Sequence, residues 1–311
     1  MKKLTFVVSL TTNDNDYQME QAAAAEEAAR RLGVQLQIVY GNNDSVVQSQ
    51  QILKFIQTEN AHPDGIIFEP VGGTALPQVA RAAVAAGIAW VVLNRDVEYV
   101  YELRQSGQAP IFCMTSDHEE IGRIQGRQFA ALLPAGGSVL YITGPSESLA
   151  AKQRTSGMYE TKAADVLVKV MKGRWTESSA HNAVSSWLRL STSQQSRIDV
   201  VASQNDAMAL GAKKAFQELP EGPSRDRWLS LPFIGCDGLP QTGQTWVKKG
   251  LLAATIVVPP NSGQAVEVLV QALHKAADPQ ERFLTVPVSF PSLDELRAST
   301  AVKHQALSAT V

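Results

Sequence analysis

Short runs rich in Val, Ile, Leu and Phe alternate with longer Ala-rich amphipathic runs along almost the whole chain, and this alternation is what most restricts the fold. Residues 4–10 are β-branched and aromatic and end in Thr11-Thr12-Asn13, the pattern of a buried strand and a loop. Residues 17–32 are Ala- and Glu-rich, and Gly33 stands just past them as a C-cap. Further strands are expected over 34–40, 65–68, 88–93 and 111–114, then 138–142, 166–171, 198–202, 231–235 and 252–257. Helices are expected from a cap at Asp44 or Ser45 to about residue 59, over 76–86, and from a cap at Ser116 or Asp117 to 133. The second half adds helices over 150–164, 178–190, 206–219, 241–249 and 261–276. A polar loop joins 93 to 111. A short strand over 285–289 and a short helix from Ser292 finish the fold, and 298–311 reads as a small, polar, fraying tail.

Strands separated by one helix each imply parallel sheets covered on both faces. About eleven strands are too many for one doubly wound sheet, so two α/β domains of five or six strands are expected. A length of 311 residues suits that number. No long Pro/Gly/Ser linker separates two halves, so the chain is expected to pass between the domains more than once, through short extended segments.

Several function classes are excluded at this level. With 28 Lys and Arg against 30 Asp and Glu, the net charge of −2 argues against a protein that works by gripping nucleic-acid phosphates. The longest apolar stretch, 85–93, falls far short of the roughly 18–20 residues of a spanning helix. No signal peptide is legible: after Met1-Lys2-Lys3, residues 4–10 are too short and too β-branched for an h-region and lead into Thr-Thr-Asn-Asp. The expectation is a cytoplasmic chain or one whose leader has been removed. Cys113 and Cys236 form no disulfide framework and read as two buried thiols. His62, His118, His181, His274 and His304 have no partners at metal spacing, and Asp14-Asn15-Asp16 lacks the Gly and distal Glu of a calcium loop. There is no Gly-x-Gly-x-x-Gly after the first strand, no Gly-Lys-Ser/Thr loop and no Gly-x-Ser-x-Gly elbow. Gly72-Gly73-Thr74 reads as a turn. No catalytic residue, cofactor or metal is expected.

What the chain does carry is polar and aromatic residues at the C-terminal ends of its strands, the edge where open α/β sheets bind ligands. Residues 13–18 follow the first strand, Asn94-Arg95-Asp96 the run at 88–93, and Ser116-Asp117 the run at 111–114. Asn205-Asp206 follow 198–202, and Cys236-Asp237-Gly238 follow 231–235. Such a set is rich in donors and acceptors and lacks an obvious base. It suits recognition of a neutral polyhydroxyl compound or a small anion rather than acid–base catalysis.

These residues also carry a family resemblance. Residues 204–212, Gln-Asn-Asp-Ala-Met-Ala-Leu-Gly-Ala, resemble the Gln-Asn-Asp-x-Met-Ala-Leu-Gly-Ala segment of ribose-type periplasmic binding proteins. Gly235-Cys-Asp-Gly238 resembles their Gly-Phe-Asp-Gly, and residues 250–256 their Gly-x-Leu-x-Ala-Thr-Ile. Leu93-Asn94-Arg95 resembles Leu-Asp-Arg, Thr115-Ser116-Asp117 resembles Ala-Ser-Asp, and residues 150–154 resemble Ala-Ala-Arg-x-Arg. Order and spacing match from residue 4 to about 290. The family is that of type I periplasmic sugar-binding proteins, which share their core with lac-repressor-type effector domains.

The resemblance implies two Rossmann-like parallel-sheet lobes, joined by three crossover segments, with the ligand cleft between them and hinge closure as the mechanism. The crossings would fall near Ser116, near Val258-Pro259 and near 285–287. One lobe would then comprise 1–115 with 259–286 and the other 116–258 with 287–300, leaving 301–311 as a tail. Asn15, Tyr17 and Gln18 match the family's ligand loop. There Tyr17 would lay its ring on a sugar face or, equally, fold back on the following helix. Arg95 would donate its fork of N–H groups to ligand oxygens, or else pair with Asp96 or Glu98 at the surface. Arg154 would donate from the second lobe unless it is a solvated helix residue. Trp175 would wall the site or pack between helix and sheet. Asn205 would donate to and accept from vicinal hydroxyls, Asp206 would cap the next helix, and Asp237 would be the key carboxylate acceptor. Glu69, at a strand end, would add an acceptor or pair with an Arg. Three positions depart from the family: Asn94 stands for Asp, Gln18 for Phe and Val258 for Gln. They leave the ligand open among pentoses, hexoses, cyclitols and other small polar compounds.

The function implied is capture of a monosaccharide or polyol, by a monomer that meets no nucleic acid, for a membrane transporter or receptor outside the cytoplasm. Two alternatives stand beside it. One is a lac-repressor-type effector domain without its DNA-binding part, and the other an intracellular ligand sensor acting through a protein partner.

Overall fold

The computed structural model describes residues 3–58, 62–72, 75–105, 109–194, 196–275 and 278–308. Gly73 and Thr74 of the expected turn, Ala276 of the expected helix end and 309–311 of the expected tail lie outside them. The chain opens with β1 (Thr5–Leu10), α1 (Asp16–Leu32), β2 (Gln35–Tyr40), α2 (Ser45–Gln57), β3 (Gly65–Phe68), α3 (Pro77–Ala85), β4 (Ala89–Leu93), α4 (Tyr99–Arg104) and β5 (Ile111–Ser116). It continues with α5 (His118–Leu132), β6 (Gly137–Thr143), α6 (Leu149–Thr161), β7 (Val166–Lys172), α7 (Glu177–Leu188), α8 (Ser191–Gln194), β8 (Val200–Ser203), α9 (Asp206–Gln217), α10 (Pro223–Leu229), β9 (Phe233–Ile234), α11 (Gly243–Lys248) and β10 (Thr255–Val257). It ends with α12 (Ser262–Lys275), β11 (Arg282–Thr285), β12 (Val288–Phe290) and α13 (Leu293–Ser308).

Two compact units result, Met1–Ser116 with Pro260–Thr285 and Asp117–Pro259 with Val286–Val311. The chain therefore passes from one to the other three times, after Ser116, Pro259 and Thr285.

The first unit is built on a parallel sheet of order β11-β5-β4-β3-β1-β2. Its central strands are apolar throughout because both faces are covered, and successive residues go to opposite cores. Phe6, Val8 and Leu10 join Ile67 and Val91 on one face, under Ala25 of α1 and Val266 and Leu269 of α12. Val7, Ile66, Phe68 and Trp90 join the other face, under Ile52, Val79 and Ala83. Trp90 tilts onto Phe68 with ring centroids 4.6 Å apart.

The second unit has a parallel sheet of order β7-β6-β8-β9. Isolated parallel bridges, Ile234 to Ala254 and Asp237 to Val257, extend it towards β10, which pairs antiparallel with β12. Helices α5 and α6 approach closely. A Cβ on Gly122 would stand 2.1 Å from the Arg154 carbonyl oxygen, and one on Gly157 would stand 2.0 Å from that of Glu119. Only glycine fits either position.

Five features differ from the sequence pattern. Within the expected polar loop, α4 forms because Tyr99 is drawn inward: its hydroxyl donates to the Ala75 carbonyl at 2.7 Å and accepts from Trp90 Nε1 at 3.1 Å. Helix α10 begins at Pro223 after Gly222 and turns Trp228 onto Phe216, stacked at 4.8 Å. The strand expected over 285–289 is two strands. Pro287 cannot donate to a ladder, so β11 ends before it in the first unit's sheet and β12 starts after it in the second unit. Helix α13 runs on to Ser308 rather than fraying at 298, with Leu296 buried as its anchor. The short α8 was not expected either; within it, Ser193 Oγ reaches back to donate to the Leu190 carbonyl at 2.7 Å. Both cysteines are buried and unpaired. Among the described residues no helix is long and apolar enough to cross a membrane.

Candidate functional site

In the first unit the ends of β1, β3 and β4 bring Gln18, Glu69 and Asn94 together. Asn15 caps α1, its Oδ1 accepting from the N–H groups of Tyr17 at 2.9 Å and Gln18 at 3.3 Å. That cap fixes the turn carrying Tyr17, half-buried, and Gln18, buried. Gln18 Oε1 accepts from Thr11 N–H at 3.1 Å while its Nε2 donates to Glu69 Oε2 at 2.9 Å. Asn94, held at φ 54°, donates from Nδ2 to the same Oε2 at 3.1 Å. Asn94 Oδ1 accepts from Asn261 Nδ2 at 2.9 Å and from the Ser116 hydroxyl at 3.4 Å. Among the described residues Glu69 is therefore held by two amides and pairs with no Arg. Its own carbonyl accepts from Gln48 Nε2 at 2.8 Å, and Gln48 Oε1 accepts from Val71 N–H at 2.9 Å, which pins the strand end from behind. Arg95 folds its Nη1 back to the Asn94 carbonyl at 2.7 Å. Asp96, one of the surface partners considered for Arg95, pairs with Arg282 at 2.6 and 2.9 Å.

In the second unit the set gathers at the ends of β6, β8 and β9. The cap of α9 is Asn205, not Asp206: Asn205 is extended, and its Oδ1 accepts from Met208 N–H at 2.9 Å. Its Nδ2 donates to the Trp175 carbonyl at 2.8 Å. Asp206, the first helical residue, turns inward. Its carboxylate accepts from Gly238 N–H at 2.8 Å and from the Thr255 hydroxyl at 2.7 Å. Burial, with the nearby Asp237 charge adding to it, pushes its pKa well above the usual carboxylate range. The turn after β9 closes on this carboxylate so tightly that Gly238, at φ 58°, would place a Cβ 2.6 Å from Val257 Cα. Asp237, just before Gly238 in that turn, is half-buried and at φ 108°. Val258 is buried, and its N–H donates to the Asp237 carbonyl at 2.9 Å.

Arg154 is buried rather than solvated. Its Nη1 donates to the Gln204 carbonyl, and its guanidinium lies 5.4 Å from the Trp175 ring centroid. Trp175 packs over the end of β6, where a Cβ on Gly144 would come within 2.2 Å of the indole. Behind them Gln204 Nε2 donates to the Tyr141 hydroxyl at 3.0 Å, and that hydroxyl donates to Gln125 Oε1 at 2.9 Å. Burial raises the Tyr141 and Cys236 pKa values, so both stay protonated.

Gln21, Gln48, Gln125, Asn261 and Tyr141 support these sets and were not singled out from sequence. The available signal was a Gln facing an otherwise apolar helix side, at Gln21 among buried alanines and at Gln48 beside Ile52.

Two doubly wound units that exchange chain three times, each with polar side chains gathered at the C-terminal edge of its sheet, define a two-lobed α/β fold. The sequence profile described as periplasmic binding protein domain matches residues 6–278. The chain belongs to the periplasmic binding protein domain family. It is 25% identical over 260 residues to the D-allose-binding periplasmic protein of Escherichia coli, covering 82% of this chain and 79% of that one. It is 28% identical over 272 residues to the xylitol-binding protein of Mycolicibacterium smegmatis, covering 85% and 69%. A similar fold occurs in the ABC transporter solute-binding protein of Bacillus halodurans C-125 with bound myo-inositol, at a TM-score of 0.75, 24% identity and coverage of 95% and 98%.

Proposed function

We propose that this chain is a solute-binding protein that captures a monosaccharide or polyol and presents it to a membrane transporter outside the cytoplasm. The observation that carries this reading is the pair of strand-end sets. Each joins a guanidinium, Arg95 or Arg154, to amides and a carboxylate whose geometry is fixed by hydrogen bonds from beneath. Forked donors beside fixed acceptors suit vicinal hydroxyls, each of which both donates and accepts. D-Allose, xylitol and myo-inositol, the compounds named with the relatives, are of that chemistry. Within this reading Asn15, Gln18, Asn94 and Asn205 set the geometry of the site. Tyr17, Arg95, Arg154, Trp175 and Asp237 meet the ligand, and Val258 lends an apolar wall. The protein acts as a monomer, with no nucleic acid and no catalytic step.

Calorimetry against pentoses, hexoses, sugar alcohols and cyclitols tests the proposal. Saturable binding of one class is expected, lost in Arg154→Ala and Asp237→Ala and in Arg95→Ala of the other unit. A silent panel, or unchanged binding in all three variants, would overturn it.

A further inference from the structure

Two exposed cations of the second unit, Lys169 of β7 and Arg227 of α10, are fixed by aromatic faces and by one serine rather than by acids. Lys169 Nζ lies 4.9 Å from the Trp187 ring centroid and donates to Ser196 Oγ at 3.1 Å. The Ser196 hydroxyl gives its proton to the Thr192 carbonyl at 2.7 Å, so its oxygen is the acceptor for Lys169. The Arg227 guanidinium lies 4.8 Å from the Trp228 centroid, and its Nη2 donates to the Ser196 carbonyl at 3.0 Å. The two indoles touch edge to face at 5.5 Å, so both cations are anchored on one buried pair. Among the described residues neither cation makes an ion pair. Asp199, close by in sequence, accepts from Arg197 at 3.5 Å and from Ser138 N–H at 2.8 Å instead.

Exposed leucines flank the cations. Leu167 stands two residues before Lys169 on the same face of the edge strand β7 and is 68% exposed. Leu190, whose N–H donates to the Trp187 carbonyl at 3.0 Å, is 55% exposed. A lysine on an edge strand guards it against pairing with another strand, but that role asks for neither leucine and not for Arg227. The patch is also remote from the strand-end set: Ser196 and Arg227 precede β8 and β9, whereas Asn205 and Asp237 follow them.

We propose that this patch is a docking surface for an anionic lipid membrane, with Lys169 and Arg227 on headgroup phosphates and Leu167 and Leu190 in the headgroup–acyl boundary. Leucines beside ordered cations are the composition of an interfacial contact. The indoles and Ser196 orient the two cations without neutralising them, which leaves their charge for phosphates. A dissolved anion would use the cations but gain nothing from the leucines. The proposal is independent of the ligand captured, and the calorimetric panel does not bear on it.

The test is co-sedimentation of the full chain, at low ionic strength, with mixed phosphatidylglycerol–phosphatidylcholine vesicles and with phosphatidylcholine vesicles alone. Partition onto the first and not the second is expected. The double variant Lys169→Gln/Arg227→Gln should weaken it roughly 10–30-fold, the worth of two cations at a charged surface. Leu190→Ser should weaken it roughly 3–10-fold. The control Lys54→Gln/Lys275→Gln, which removes as much charge from exposed positions of the first unit, should change it less than about twofold. No partition, or equal partition onto both vesicles, overturns the proposal. So does a double variant at 169 and 227 that binds like the parent, or a control that loses as much as that variant. Inorganic phosphate bound in calorimetry without vesicle partition would mark a free-anion site and overturns it too. The comparison of the two vesicles in the unaltered protein stands even where a variant does not fold.

Discussion

Replacing Asn94 by Asp would set a second carboxylate against the buried one of Glu69. The Asn94 Nδ2 and Glu69 Oε2 atoms are 3.1 Å apart, and both residues are almost fully buried. Two carboxylates so placed have charge centres about 4 Å apart, which costs about 4 kcal/mol at an effective dielectric constant of about 20. The lost amide hydrogen bond adds roughly 1 kcal/mol. The folded variant can evade part of this by keeping one proton on the pair, which raises one of its two apparent pKa values. A raised folded pKa means that the folded chain binds more protons than the unfolded one, so stability falls as pH rises from the unfolded value through the folded one. Asn94→Asp should therefore be near the parent in stability at pH about 4–5 and lose several kcal/mol by pH about 8. The double variant Glu69→Gln/Asn94→Asp should recover most of the loss. The acid at 94 then accepts from Asn261, Ser116 and the new amide, while position 69 still accepts from Gln18. Urea titration of the four proteins, read by hydrogen exchange of β3 and β4 amides, follows the first unit by itself. A coupling energy under about 1 kcal/mol in that cycle, or a loss in Asn94→Asp that does not vary with pH, would refute the reasoning.

Asp206 should behave oppositely to a surface carboxylate. Its folded pKa is raised by burial, so its contribution to stability declines as pH rises above the unfolded value. Asp206→Asn can keep both hydrogen bonds by donating to Thr255, and it should gain on the parent between pH about 5 and 8 in thermal melts. Gly122→Ala drives a methyl group to 2.1 Å from the Arg154 carbonyl oxygen and should cost about 1–3 kcal/mol by urea denaturation, separating α5 from α6. Tyr141→Phe takes the donor from Gln125 Oε1, while Gln204 Nε2 keeps the Ala151 carbonyl and the Thr155 hydroxyl, and should cost about 1–3 kcal/mol in the same assay.

Much of this architecture was legible in the residues because parallel strands covered on both faces are short apolar runs, and β1, β3, β4 and β5 are all of that kind. Helix α4 was not, because six residues give no helical period; what folds it is one tyrosine hydroxyl reaching Ala75. The split of β11 from β12 hung on a single proline. At the site, residues that follow strands could be named from position alone. Their division of labour could not, since it depends on partners distant in sequence: Gln21 meets Asn261 across 240 positions, and Asp206 meets Thr255 across 49. The motif placed Asn205 and Asp206 side by side, but only the backbone angles at Asn205 decide which of them caps α9.

The interleaving of the two units also sets an order of events during synthesis. Phe6 and Val8 leave the ribosome some 260 residues before the side chains that cover them, which include Val266 and Leu269 of α12, and β11 completes the same sheet. At about 5–20 residues per second, that apolar sheet face waits tens of seconds for its cover while the whole first part of the other unit is made. The unit begun first is therefore among the last parts finished. A nascent chain released before residue 285 should be recognised by chaperones through a half-built sheet rather than through an unfolded tail.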